Sequence, residues 1–213
     1  MHEDNWLQNA VLEMGRKTLA AVDNSIIAML MNDTAIAVKV RETEKQVDSM
    51  YHSINEYCLD LLANNFYPRT KINFLVNSLK IAMELERICD YANQIAKIEQ
   101  KKLSKQNTEV IASLKISVAK MQEQSVDMVR LSLVCYEKLD SELVNTILDM
   151  DDEVDKRNRE LFRDMLCLSS INPWSQEVVM DYQTAVRYIE RVGDRATNIA
   201  ELVYYIIHGQ SLK

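Results

Sequence analysis

Paired acidic residues are the feature of this sequence best suited to chemistry. Among the places where an Asp follows a Glu or another Asp by four positions, four pairs stand at corresponding positions in the two halves of the chain. The pairs are Glu44/Asp48, Glu86/Asp90, Asp151/Asp155 and Glu190/Asp194. On an α-helix this spacing places both carboxylates on one face, about one turn apart. Because like charges at that distance repel by roughly a few tenths of a kcal/mol, a chain that repeats the arrangement is expected to compensate for it.

Metal binding is the chemistry that these pairs favour. Carboxylates are hard oxygen ligands that suit iron(III), manganese, magnesium or calcium, and zinc is also open. Asn198 stands one further turn after Glu190 and Asp194 and would add an amide oxygen. The competing interpretation is a set of solvated acids paired with nearby arginines such as Arg191 and Arg195. The pairs alone do not decide between the two interpretations.

The chain repeats itself. The segment ERVGDRATNIAE at 190–201 matches ERICDYANQIAK at 86–97 with an offset of 104 residues, and upstream matches follow an offset of 107. Matches that keep their order along the chain indicate an internal duplication. His52 extends the Glu44/Asp48 row by one turn and is either a further ligand or an ordinary surface histidine. Its counterpart in the repeat is Arg159, which argues against a role shared by both halves.

The elements that must position these acids are long helices. The chain contains only three Gly and two Pro, too few for the many turns of a sheet protein. Apolar periodicity predicts six helices at about 6–31, 34–64, 69–102, 108–139, 141–168 and 173–208. Asp33 and Asp140 are predicted N-caps, Asn172-Pro173 a start signal, and Gly209 a C-cap. The predicted fold is all-α, with two three-helix bundles in tandem at 1–104 and 105–213.

A helical wheel predicts where the acids point. At about 100° per residue, Glu86 and Asp90 lie opposite the apolar face that carries Ile81, Leu85 and Ile88. The acids of the third and sixth helices are therefore expected to form an outer stripe and not a buried catalytic pocket. In the second and fifth helices the acidic pairs flank the apolar face, so two packed helices could join their stripes into one carboxylate-rich patch.

Composition excludes several classes of protein. The net charge of -7 and pI of about 5.1 argue against nucleic-acid binding. The four cysteines lie in apolar periodic segments without a CxxC pair, so we expect four buried thiols in a reducing compartment. The polar N-terminus is unlike a signal peptide, and no window approaches the roughly 18 apolar residues of a membrane span. A soluble, cytoplasmic protein is the expectation.

Sequence motifs for catalysis are missing. Bundle di-iron enzymes need Glu-x-x-His, whereas Ser49 and Tyr205 stand three residues before His52 and His208. The chain also lacks a Gly-rich phosphate loop and a Gly-x-Ser-x-Gly motif. We therefore expect a protein that is not an enzyme. A metal-dependent enzyme that uses the acidic pairs and a metal-free helical scaffold remain as alternatives.

The two copies of the motif resemble the duplicated signature of the PhoU family, and the resemblance extends over essentially the whole chain. The first copy departs from the family pattern, with Cys89 in place of Gly and Gln94 in place of Asn. The resemblance implies a cytoplasmic, dimeric regulator that represses phosphate uptake and the phosphate-starvation response. It also implies that the regulator connects the ATPase subunit of a phosphate ABC transporter to a sensor histidine kinase, so that it meets the membrane only through its partners. Iron or zinc clusters on the acidic pairs are implied as well, with other divalent metals left open.

Overall fold

The computed structural model describes residues 2–98, 108–171 and 176–212, and these residues form six long α-helices without a strand. The helices are α1 (His2–Met31), α2 (Thr34–Asn64), α3 (Arg69–Ile98), α4 (Thr108–Lys138), α5 (Glu142–Ile171) and α6 (Gln176–His208). The prediction of an all-α fold with two three-helix units is confirmed. The predicted boundary at residue 104 and the Asn172-Pro173 start signal lie outside the described residues.

Several helix ends follow from local sequence as predicted. The Asp33 carboxylate accepts hydrogen bonds from the backbone N–H groups of Ala35 and Ile36 at 2.9 and 3.1 Å, so it caps α2. Asp140 accepts a bond from the N–H of Glu142 at 3.0 Å and caps α5 in the same way. Gly209 adopts a φ of +68° just after α6, where the left-handed region favours glycine.

The C-terminal end of α5 differs from the prediction. Ser169, Ser170 and Ile171 were expected to form a loop, but α5 continues to Ile171. The hydroxyls of Ser169 and Ser170 both donate to the backbone carbonyl of Leu166 at 2.9 Å. These bonds satisfy the serine side chains within the helix, so the residues do not have to leave it.

The two halves are joined by a seam in which equivalent helices pack antiparallel on each other, α1 on α4 and α3 on α6. Gln8 of α1 donates to the backbone carbonyl of Glu137 at 3.1 Å, and Lys115 of α4 donates to that of Leu30 at 2.7 Å. The repeat offset of 107 maps Gln8 onto Lys115 and Leu30 onto Glu137. The two contacts are therefore equivalent, and an approximate two-fold axis relates the halves.

One glycine permits the close approach of α1 and α4. A Cβ atom at Gly15 would lie 2.5 Å from Cδ2 of Leu133, far inside van der Waals contact. Leu133 is itself buried in the seam. The apolar core continues through both halves, so the molecule has one interior.

The cysteines are not all buried. Cys58, Cys89 and Cys135 are buried as expected, but Cys167 is exposed on α5. The expectation failed because Cys167 has apolar neighbours in sequence, and one of them, Leu166, is itself 52% exposed. An apolar run on this part of α5 therefore does not mark the core.

Candidate metal centre

The acids of α2 and α3 form one group, the first patch, which consists of Glu44, Asp48, Glu86 and Asp90. Burial raises the pKa of Glu86, and the charges of Asp90 and Asp48 raise it further, against the lowering effect of Arg87. Burial also raises the pKa of Asp90, with Asp48 adding to the shift, while Lys97 and a side-chain hydrogen bond with Glu44 oppose it. The acids of two different helices are thus close enough to repel one another.

The second patch is the corresponding group on α5 and α6, and it consists of Asp151, Asp155, Glu190 and Asp194. Burial, followed by Asp194, Asp155, Asp152 and Glu190, raises the pKa of Asp151 to about 6. Burial likewise raises the pKa of Asp194, and Asp155 adds to that shift, while Arg195 is the largest opposing charge. The second patch is therefore also a set of carboxylates that disfavour one another's charge.

The pKa of Glu190 in the second patch is raised mainly by burial, and the charges of Asp194 and Asp155 add to the shift. Asn158 of α5 opposes it, because its side-chain amide donates a hydrogen bond to Glu190 Oε1 at 2.8 Å. This bond places the neutral amide of Asn158 beside the Glu190 carboxylate and links α5 to α6.

The acids of α3 and α6 are less exposed than the predicted outer stripe implies, and they stand near the acids of the neighbouring helices α2 and α5. Glu86, Asp90, Glu190 and Asp194 are all half-buried. The helical wheel identified the apolar face of α3 but not its neighbours. Because α3 packs against α1, α2 and α6, its side opposite Ile81 is only partly open to solvent. α6 is enclosed in the same way by α3, α4 and α5.

His52 and Arg159 occupy equivalent places. His52 Nε2 lies 3.4 Å from Asp48 Oδ1, and Arg159 Nη1 lies 3.5 Å from Asp155 Oδ2. Each is the basic residue one turn after the second acid of its pair. The two residue types differ, but both stand beside the same acid of their patch, which the sequence comparison did not anticipate.

Asn198 makes a contact that its predicted ligand role did not foresee. Its side-chain amide donates to Glu84 Oε2 of α3 at 3.3 Å, across the seam. The same buried carboxylate is 3.2 Å from Arg195 Nη1, and its Oε1 is 3.0 Å from Arg87 Nη1. Asn198 therefore joins the two halves through its amide nitrogen, and its Oδ1 is the atom that a metal would use.

The patches differ at one position of the repeat. A Cβ atom at Gly193 would lie 3.5 Å from Asp151 Oδ1, so the glycine leaves space beside the second patch. Its counterpart Cys89 is completely buried. Burial, and after it the charge of Glu44, raises the pKa of the Cys89 thiol. Glu44 is the counterpart of Asp151. The Cys89 thiol therefore occupies, beside the first patch, the space that is open beside the second patch.

Comparison with known proteins identifies the fold and the repeat together. The sequence profile of the PhoU domain matches residues 11–98 and again residues 118–203. The chain belongs to the PhoU family. Each PhoU domain contains one patch: the first domain comprises α1–α3 with the first patch, and the second comprises α4–α6 with the second patch.

Individual relatives agree with this assignment. The Pseudomonas putida "Phosphate-specific transport system accessory protein PhoU homolog" is 27% identical over 207 residues, which cover 97% of this chain and 80% of that protein. The Escherichia coli K12 accessory protein PhoU is 26% identical over 97% of this chain and 84% of its own length. The crystal structure of Pseudomonas aeruginosa PhoU superposes with a TM-score of 0.89 at 25% identity, covering 98% of this chain and 99% of that one. At 20% identity and a TM-score of 0.89, the Streptococcus pneumoniae PhoU structure supports the fold.

The donors in the two PhoU domains have the right chemistry for a hard cation but are not yet arranged around one. Carboxylates that raise one another's pKa would be relieved by added positive charge, and the space at Gly193 lies beside Asp151. Within residues 2–98, 108–171 and 176–212, however, no three His, Cys, Asp or Glu side chains stand close enough together to hold a metal ion. Binding would therefore require side chains to turn inward, and the metal assignment stays a prediction.

Two residues of this PhoU chain were missed at the sequence level. Glu84 is buried between the domains, and Asn158 holds Glu190. Glu84 had a visible signal, because it lies three residues after Ile81 and four before Ile88, on the apolar face of α3. Asn158 had none, since nothing in the sequence of α5 indicates which acid of α6 it faces.

Proposed function

We propose that this chain is a regulatory accessory protein of a phosphate transport system and is not an enzyme. The observation that carries the proposal is that two PhoU domains account for residues 11–98 and 118–203. Relatives named as accessory proteins of the phosphate-specific transport system align with nearly the whole chain. None of the helices in the described ranges has an apolar stretch sufficient to cross a bilayer.

The proposed activity is negative regulation of phosphate uptake and of the phosphate-starvation response. The protein acts in the cytoplasm as a homodimeric adaptor that contacts the ATPase subunit of a phosphate ABC transporter and a sensor histidine kinase. Long helical faces suit this role because they present rows of side chains for docking. Phe66, in the connection between α2 and α3, is fully exposed and is available for such a contact.

Deleting the gene and measuring a phosphate-starvation reporter tests the regulatory role. In plentiful phosphate the deletion strain should express the reporter, and the wild-type gene supplied in trans should silence it. Unchanged reporter activity in the deletion strain would overturn the proposal. Co-purification of the transporter ATPase and the kinase with the tagged protein tests the two partners separately, and light scattering tests the dimer.

The metal sites are a second part of the proposal. The first patch (Glu44, Asp48, Glu86 and Asp90) and the second patch (Asp151, Asp155, Glu190 and Asp194, with Asn198 nearby) are proposed to bind iron or zinc. Support comes from the oxygen donors, their mutual repulsion and the repetition in both domains. A metal-dependent enzyme would instead turn over a phosphate ester and lose that activity in Asp194→Ala, an outcome the proposal excludes.

A further inference from the structure

A small pocket with three arginines lies between α5 and α6 of the second domain. Its volume is about 310 Å³. Arg159 and Arg163 of α5 and Arg187 of α6 line it, together with the buried apolar side chains of Met165 and Val186. We call this site the arginine pocket. Its size is at the lower end of the roughly 300–1,000 Å³ of small-molecule sites, which suits a compact ligand.

The arginines form a local positive charge on a chain whose net charge is -7. Within the described parts of the chain, Arg163 and Arg187 have no ion-pair partner, while Arg159 pairs with Asp155 at 3.5 Å and is 62% exposed. Glu190 is the one acid in the lining, and Asn158 already donates to it at 2.8 Å. Three arginines that line one concavity, two of them without an ion-pair partner among the described residues, form a site that attracts an anion.

The internal repeat shows that the arginine pocket is not a general property of a PhoU domain in this chain. The counterparts of Arg159, Arg163 and Arg187 in the first domain are His52, Glu56 and Met83. One possible cation, one anion and one apolar residue therefore replace three guanidinium groups. The positive charge belongs to the second domain alone, and the first domain serves as a built-in comparison.

We propose that the arginine pocket binds a small phosphate-class oxyanion, either inorganic phosphate or the phosphoryl group of a small metabolite. Guanidinium forks match the oxygens of a phosphate in pairs, and their combined charge suits an ion of about -1.5 to -2 better than a single carboxylate. The proposal does not depend on the regulatory function above, because an adaptor between two proteins needs no small ligand.

Calorimetric titration of the full-length protein with inorganic phosphate tests the proposal. A chelator is present throughout, so that phosphate held through a metal ion does not contribute. The wild type is expected to bind phosphate saturably, at one site per chain. Arg163→Ala and Arg187→Ala should each weaken binding by about tenfold, the loss expected for one charge-assisted hydrogen bond.

Two controls make the result specific. Arg130→Ala removes one exposed arginine elsewhere, which pairs with Asp127, and should bind phosphate like the wild type. The double variant Arg163→Lys/Arg187→Lys keeps the charge but loses the forks, and it should bind more weakly than the wild type. Phosphoserine serves as a second titrant, and sulfate is added as a competitor. Comparing these results with those for phosphate separates a preference for the free ion from a preference for a phosphoryl group. Absence of saturable binding in the wild type, or equal weakening by Arg130→Ala and Arg163→Ala, would overturn the proposal.

Discussion

Arg195 Nη1 of α6 lies 3.2 Å from Glu84 Oε2 of α3, and this ion pair crosses the seam between the two PhoU domains. The repeat maps Glu84 onto Tyr188 and Arg195 onto Tyr91. The rings of those two tyrosines lie against each other with centroids 5.8 Å apart. The same two positions of the repeat therefore join α3 and α6 twice, once through a buried charge and once through aromatic rings.

The Glu84 carboxylate should be important for stability. Its side chain is only 7% exposed and faces the guanidinium groups of both Arg87 and Arg195. Glu84→Gln leaves those charges without their counter-ion, and we expect a loss of about 2 to 3 kcal/mol in the free energy of unfolding. This is below the roughly 3–5 kcal/mol for a fully buried pair, because both arginines reach solvent. Urea unfolding measures the effect.

Asp127→Asn is the matched control for Glu84→Gln. It breaks the exposed pair between Asp127 and Arg130 on α4, which should cost less than about 1 kcal/mol. If the two variants lost the same free energy of unfolding, the ion pair across the seam would contribute no more than an exposed surface pair.

The stability of the second domain should depend on the protonation of Asp151. Its pKa is about 6 in the folded protein and 3.8 ordinarily, so the folded state holds a proton between these values that the unfolded chain releases. The contribution of Asp151 to stability therefore falls as the pH rises through this range, and above about pH 6 its charge destabilises the fold. Asp151→Asn should be more stable than the wild type at neutral pH, on the order of 1 kcal/mol after solvent screening.

The pH dependence separates this effect from a simple change in net charge. The advantage of Asp151→Asn should shrink as the pH falls and disappear below about pH 4, where the wild-type group is protonated in both states. Asp164→Asn removes the same charge from an exposed position on α5 and should show no such trend. Thermal melts across the pH range, with chelator present, provide the comparison. A constant difference between Asp151→Asn and the wild type would contradict the prediction.

Metal content should divide between the two patches. Protein purified without chelator or a histidine tag is expected to contain iron or zinc by mass spectrometry. Asp90→Ala should remove the part bound to the first patch and Asp194→Ala the part bound to the second, because each takes a central carboxylate from its group. Asp164→Ala should leave the content unchanged. If no sample contained metal, the patches would be carboxylate clusters without a metal role.

Two glycine positions should respond oppositely to alanine. At Gly193 a Cβ meets its nearest neighbours at 3.5 Å, an ordinary contact, so Gly193→Ala should gain about 0.5–1 kcal/mol from helix propensity. At Gly15 the Cβ would lie 2.5 Å from Leu133, so Gly15→Ala should lose on the order of 1 kcal/mol through overpacking of the seam. Denaturant unfolding of both variants checks the difference. A stable Gly15→Ala would mean that α1 and α4 can separate at little cost.

Much of the fold could be predicted because its signals are local. The Asp33 carboxylate caps the start of α2, and the backbone conformation of Gly209 follows the end of α6, both where expected. The helical wheel similarly predicted that the acids of two packed helices could join into one patch. The partial burial of Glu86 and Asp90 could not be predicted from one helix, since it depends on how many helices surround α3.

The arginine pocket shows a further limit. Arg187 is separated in sequence from Arg159 and Arg163 by the end of α5 and the start of α6, and only the packing of the two helices brings the three together. The buried Glu84 has a similar cause, because its partner Arg195 lies in the other domain. Charges that meet between distant segments leave no periodic signal in the chain.

The seam also explains how one patch and one pocket could become different from their counterparts. Two identical subunits that meet through the same surface form an isologous dimer, in which every substitution enters the interface twice. Here both subunits of such a dimer are domains of one polypeptide, so Glu84 could diverge from Tyr188 and Cys89 from Gly193. Their association also does not depend on protein concentration, unlike that of an obligate dimer. This molecule is in effect a heterodimer with a peptide link, and each face can acquire its own ligand.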